Sequence, residues 1–137
     1  MRRAQPIHLD TEAVLAIHAE VLAAHGGGDG LREVALLESA LAAPQATMMG
    51  RPLFTDPVEI GAAYLFYLCR NHPFVDGSKP TALATCLVFL DENELLADDT
   101  LDVDEWEALT LDVAASRIDR EATTRPLRQL LRSRHGT

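Results

Sequence analysis

The densest chemistry in the chain lies in "HPFVDGSKPTA", residues 72 to 82. His72 has an ordinary pKa near neutrality, which suits it to take a proton from an attacking hydroxyl. Asp76 offers a hard oxygen to Mg2+, a cation commonly held by one carboxylate together with phosphate oxygens. Gly77 can adopt backbone angles closed to other residues, and Ser78 or Lys79 can cap a following helix. The first free N–H groups of that helix point outward beside a positive dipole end, which collects phosphate. Lys79 adds a point charge there. It is the only lysine in a chain with eleven arginines, so ordinary surface usage explains it poorly. Phe74 reads as an anchor, its ring in the core while its neighbours face out. His72 and Lys79 are thus the candidate catalytic pair, and Asp76 is the candidate metal ligand. Phe74, Gly77, Ser78 and Lys79 form the candidate cofactor-binding set. Singly, each has a plainer reading: a lone histidine most often sits satisfied in a core, and Asp-Gly-Ser is an ordinary turn signature. Pro73 and Gly77 also rule against His72 and Asp76 as metal ligands four apart on a regular helix. The combination carries the functional reading.

The loop must be held by what flanks it, and the flanks read as helices. Asp56-Pro57-x-Glu59 gives a cap, a proline at the first helical position and an acid in the first turn. These open a helix through Tyr64, Phe66 and Leu68 to about Arg70. It is apolar nearly all round, as is the helix expected over about 80 to 92, and both belong in the centre of a bundle. Upstream, Asp10 caps a helix with Val14, Ile17, Val21 and Leu22 at helical spacing, stopped by Gly26-Gly27-Gly28 after His25. Gly30 opens a second, with Leu31, Val34, Leu36, Leu37 and Leu41, ending at Pro44. Downstream, Asp102 caps a helix carrying Trp106, Leu109 and Val113, and a last helix follows Thr124-Arg125-Pro126. Strand signals are confined to residues 7–9 and 95–96. The class is all-α, a compact helical bundle.

Composition bounds the rest. The 137 residues, 47% hydrophobic and 24% charged, suffice for one core, so a single domain over 1–137 is expected. No apolar run approaches the roughly 20 residues of a membrane span, and Met1-Arg2-Arg3 precedes no apolar signal region. A cytoplasmic protein without a membrane role is expected, and Cys69 and Cys86 read as buried thiols in a reducing compartment. The net charge is −9, with residues 115–137 at +4 and the remainder at −13. Such an acidic body repels a phosphate backbone, which argues against direct nucleic-acid binding. Arg128, Arg132 and Arg134 read as complements to the C-terminal end of the last helix.

The 72–82 stretch resembles the loop of the Fic/Doc family, H-x-F-x-D/N-A/G-N-K-R-T, and within it the Doc (death on curing) toxins. His72, Phe74, Asp76, Gly77, Lys79 and Thr81 match, while Ser78 replaces the Asn and Pro80 the Arg. "GLREVALLESALAAPQ" (30–45) resembles the Doc-type N-terminal helix, and "YLFYLCRNHPF" the helix leading into the loop. The resemblance implies an all-α fold of the Fic/Doc type and ATP- and Mg2+-dependent transfer to a protein hydroxyl. The moved group is adenylyl in many Fic proteins and the γ-phosphoryl in Doc, whose target is elongation factor Tu. It implies His72 as base, Asp76 as Mg2+ ligand and Gly77 to Lys79 as phosphate cradle. The inhibitory Ser/Thr-x-x-x-Glu-Gly/Asn helix of many Fic proteins is not found, since Thr55 to Glu59 is followed by Ile60. Restraint is therefore expected from a separate Phd-like antitoxin.

The two departures weaken the cradle. Ser78 replaces a two-headed amide with a short hydroxyl. Pro80 removes a guanidinium and an N–H together, where one Arg can contribute about 10³ to 10⁵ in rate. Proline also disfavours α geometry at Lys79, so the helix is expected to start with Pro80 at its first position. Three readings stay open: a weakened Doc-type phosphotransferase, a catalytically silent Doc-like binding module, and a Fic-type nucleotidyl transferase.

Overall fold

The computed structural model describes residues 6–28, 30–96 and 102–133. Their architecture is a helical bundle of the expected all-α class. Its elements are α1 (Thr11–His25), α2 (Val34–Ala42) with a 3-10 turn at Ala43–Gln45, α3 (Pro57–Asn71), α4 (Ser78–Glu92), α5 (Val103–Ala114) and α6 (Arg120–Ser133). Among the described residues no helix is long and apolar enough to cross a membrane.

α3 is the axis. Its start follows the local chemistry: the Asp56 carboxylate accepts from the Val58 N–H at 3.0 Å, and Pro57 stands where a missing N–H costs nothing. Val58, residues 60–65, Leu68 and Cys69 are all buried, so the helix meets neighbours on every side, namely α2, α4, α5 and α6. Gly61 lets α4 come close, since a Cβ there would stand 3.0 Å from Leu90 Cδ2. Cys69 and Cys86 are free and buried, and burial pushes the Cys69 thiol up to about 12 and that of Cys86 higher still. Both are therefore neutral packing groups. The caps expected from sequence at Asp10 and Asp102 form, to Ala13 N–H and Glu105 N–H, and Gly26 ends α1 at φ 79°.

Four sequence expectations are corrected. The strand signals at residues 7–9 and 95–96 form no strand; the sheet is an antiparallel pair, β1 (Thr47–Met48) and β2 (Arg51–Pro52). Ile7 is instead held by Asn93, which exchanges hydrogen bonds of 2.8 and 3.1 Å with its backbone. Gly30 does not open α2, which begins at Val34, because Leu31 is bridged to Phe74. The last helix starts at Arg120 and carries Pro126 inside it. Asp119 caps the earlier turn through the Ala122 N–H at 2.8 Å, and Thr123 and Leu127, four apart, are fully buried there. Finally, Arg128 serves α3 rather than the end of α6, pairing with Asp56 at 2.6 Å, while Arg120 lies 3.6 Å from Glu59 and over the Phe54 ring. The side chain of Arg132 and all of Arg134, with residues 1–5 and 97–101, lie outside the described residues.

Candidate active site

The α3–α4 junction begins where α3 stops. His72 adopts a left-handed conformation (φ 48°, ψ 60°) while its N–H still reaches the Leu68 carbonyl at 3.1 Å. A residue with a Cβ rarely rests there unaided. Arg32 supplies the aid: its Nη1 donates to the His72 carbonyl at 2.5 Å and to that of Asn71 at 3.4 Å, among the carbonyls that end α3. The segment before α2 then runs along the loop. Arg32 N–H donates to Pro73 O at 2.7 Å, Val75 N–H donates to Gly30 O at 3.0 Å, and Asn71 Nδ2 donates to Leu36 O at 2.9 Å.

Inside the loop, Phe74 is 1% exposed and lies behind the site rather than on its wall. Its N–H donates to Ser78 Oγ at 3.1 Å, and Ser78 is itself 3% exposed. Ser78 therefore does not cap α4 as expected; its hydroxyl is used to close the loop. The cap position belongs to Gly77 (φ 81°, ψ 14°), and no side chain caps α4. Pro80 consequently stands third in α4, not first, within the opening turn that tolerates a missing N–H. Asp76 turns its carboxylate back toward the end of α1, where Oδ2 accepts from the Gly28 N–H at 2.6 Å. Glycines favour this approach: Gly27 has φ 122°, which side chains rarely adopt, and a Cβ on Gly28 would stand 3.0 Å from Oδ2, so the carboxylate would have to shift.

His72, Asp76, Gly77, Ser78 and Lys79 all line one open pocket of about 380 Å3, with Pro80, Val75, Val21, His25, Gly26 and Gly27. An apolar groove of about 500 Å3 adjoins it, sharing Val21, His25, Lys79 and Pro80 and continuing over Leu83, Ala84, Leu87 and Leu111. Both His72 and Lys79 are exposed here, their side chains free to meet a ligand. The arrangement combines a base, a cation and an uncapped helix N-terminus around one space, which is what handling a phosphate beside a nucleophile requires. The described residues contain no cluster of three or more metal-ligating side chains. A Mg2+ held by a single carboxylate and phosphate oxygens would nonetheless suit Asp76, an exposed carboxylate on the pocket wall whose Oδ2 accepts from the Gly28 N–H.

Five contributors were not singled out from sequence: His18, Arg32, Gly27, Gly28 and His25. His18 sits in the apolar stripe of α1, and its place four residues after Val14 was the available signal. Arg32 lies within a stretch read only as a helix, Gly27 and Gly28 were read only as a stop, and His25 only as a last helical residue.

The profile of the Fic/DOC family matches residues 8–90, which contain the loop and the helices on both sides of it. The chain is 38% identical over 112 residues to "Toxin Doc" of Mycolicibacterium smegmatis, covering 82% of this chain and 84% of that one. It is 30% identical over 123 residues to "Protein kinase doc" of Escherichia phage P1, covering 90% and 94%. Loop, bundle and relatives agree, and the chain belongs to the Fic/DOC family.

Proposed function

We propose that the protein is the toxin of a toxin–antitoxin pair, a Doc-type phosphotransferase that moves the ATP γ-phosphoryl to a hydroxyl of a translation factor, elongation factor Tu being the expected target. The observation that carries this reading is the convergence of His72, Asp76 and the uncapped start of α4 with Lys79 on one pocket. The relative named as a protein kinase, similar along nearly its whole length, supports the reaction class.

In this reading His72 takes the proton of the attacking hydroxyl, its backbone fixed by Arg32. Ser78 and Lys79 backbone N–H groups and the Lys79 ammonium hold the phosphates, and Gly77 lets the chain turn into them without a Cβ in the way. Asp76 would hold Mg2+ by its carboxylate, and the ion would supply charge neutralisation to the phosphates. The cradle is weakened in two places. Ser78 spends its hydroxyl on Phe74, and Pro80 sits at the pocket wall without a guanidinium.

The apolar groove beside the pocket would receive an amphipathic helix of a Phd-like antitoxin, which suits a chain lacking the inhibitory helix of other Fic proteins. The acidic body favours basic flanks on that helix. Pro80 also favours a second reading, a catalytically silent module that keeps the groove and binds its partner. Incubation with α- and γ-labelled ATP and a cell lysate separates the readings. Label from the γ position on protein supports phosphoryl transfer, label from the α position supports nucleotidyl transfer instead, and neither leaves the binding module.

A further inference from the structure

We propose that His18 is a positioning residue for the 72–79 loop, holding the Asp76 peptide and the Phe74 anchor in place from inside the bundle. The role deepens the transferase reading above and rests on it for its catalytic consequence. His18 is 5% exposed, although imidazole is polar at both nitrogens. Two contacts account for its burial. Its ring stacks on Phe74 with centroids 3.8 Å apart and planes 11° from parallel. Its Nε2–H donates to the Asp76 carbonyl at 2.8 Å. The next residue, Gly77, is required by its backbone (φ 81°) and runs beside the same ring, where a Cβ would come within ordinary contact of His18 Cδ2 at 3.5 Å.

The Asp76 carbonyl needs this donor. It belongs to the residue before the cap of α4, and the helical ladder begins one residue later, at the Gly77 carbonyl that accepts from the Thr81 N–H at 2.9 Å, so no helical N–H serves it. A hydrocarbon at position 18 would leave this half-buried carbonyl without its partner in the protein, at the cost of a lost hydrogen bond. Asp76 is thus fixed twice by one piece of chain: its carbonyl by α1, and its carboxylate by Gly28 just beyond the end of α1. Those two bonds set where the carboxylate and the first turn of α4 stand relative to each other. An error of an ångström in such a site is felt in rate.

The test compares His18→Gln, which keeps a donor near the Nε2 position, with His18→Phe, which keeps a flat ring and loses the donor. His18→Met, filling the space with no donor, replaces Phe should a second ring not fit. Amide hydrogen exchange is read for residues 74–79 and for α3, with ATP·Mg binding by calorimetry and kcat and KM for γ-phosphoryl transfer. Without the donor, loop exchange should accelerate about ten- to a hundredfold while α3 exchange is unchanged, and kcat should fall by a similar factor. Gln should restore both to within about threefold of the parent. Loop exchange unchanged in Phe and Met would overturn the proposal, as would faster loop exchange with kcat unaltered. If the parent itself transfers no label, the transferase reading fails, and loop exchange with ATP·Mg affinity still decides whether His18 fixes the loop.

Discussion

His72 combines an unfavourable backbone conformation with an exposed side chain, and the Arg32 bond to its carbonyl shows what maintains the first so that the second can act. A side chain held at such a bend should matter for chemistry far more than for folding. His72→Asn should therefore abolish transfer, a loss of about 10² to 10⁴ in rate, because a positioned base contributes that much. Asn tolerates left-handed angles, so the melting temperature should move by no more than roughly a degree or two, the effect of an ordinary surface substitution. Thermal melts beside the transfer assay check both halves, and a large fall in melting temperature would make this histidine structural. The residues of the loop were legible because types that do chemistry recur within a few positions. Arg32 and His18 were not, since each acts on carbonyls some forty to sixty residues away, and only the packed fold supplies that partner.

At the scale of elements, helix starts were legible where a cap and an apolar face agree, as at Asp10, Asp56 and Asp102. They were misread where a proline signal competed with burial: Pro126 stays inside α6 because Asp119 caps an earlier turn and Thr123 and Leu127 pack below it. Asp56 joins two elements, capping α3 and pairing with Arg128 of α6. Burial raises its pKa, but the hydrogen bond and charge of Arg128 with the N–H groups of Val58 and Glu59 outweigh that and lower it overall. The folded carboxyl thus binds its proton less readily than the unfolded one. Its contribution is full above the ordinary value of 3.8 and is lost as pH falls through the lower folded value. Asp56→Ala should cost about 1 to 3 kcal/mol, cap and half-exposed pair together, and Asp56→Asn, which keeps the cap, about 1 kcal/mol or less. Urea titrations at pH 7 check the order, and in both variants the acid limb of the stability profile should flatten.

Across the whole molecule, the N-terminal segment closes the bundle. Tyr64, buried in α3, shares a hydrogen bond of 2.7 Å with His8 Nδ1 and accepts from the Leu9 N–H at 3.1 Å, and burial pushes its phenol up to about 12. Burial lowers the pKa of His8, so the unfolded chain takes up a proton first as pH falls below the ordinary 6.5. Stability should therefore decline as pH falls through 6.5 toward the lower folded value, and His8→Asn should reduce that slope; equal slopes by thermal melting would count against the link.

The measurement that bears most directly on the phosphate-cradle reading is γ-label transfer from ATP by Pro80→Arg, with and without His72→Asn. The structure makes this a cleaner change than restoring Asn at 78, because Pro80 is exposed near the start of α4 whereas Ser78 is buried and closes the loop onto Phe74. The substitution would bring a guanidinium to the wall shared by pocket and groove. Transfer to protein should rise by about 10³-fold or more over the parent, since an Arg on a transferring phosphoryl contributes that much, and should vanish with His72→Asn. A Pro80→Arg protein that folds and yet moves no more label than the parent, or one whose activity survives His72→Asn, would contradict the account.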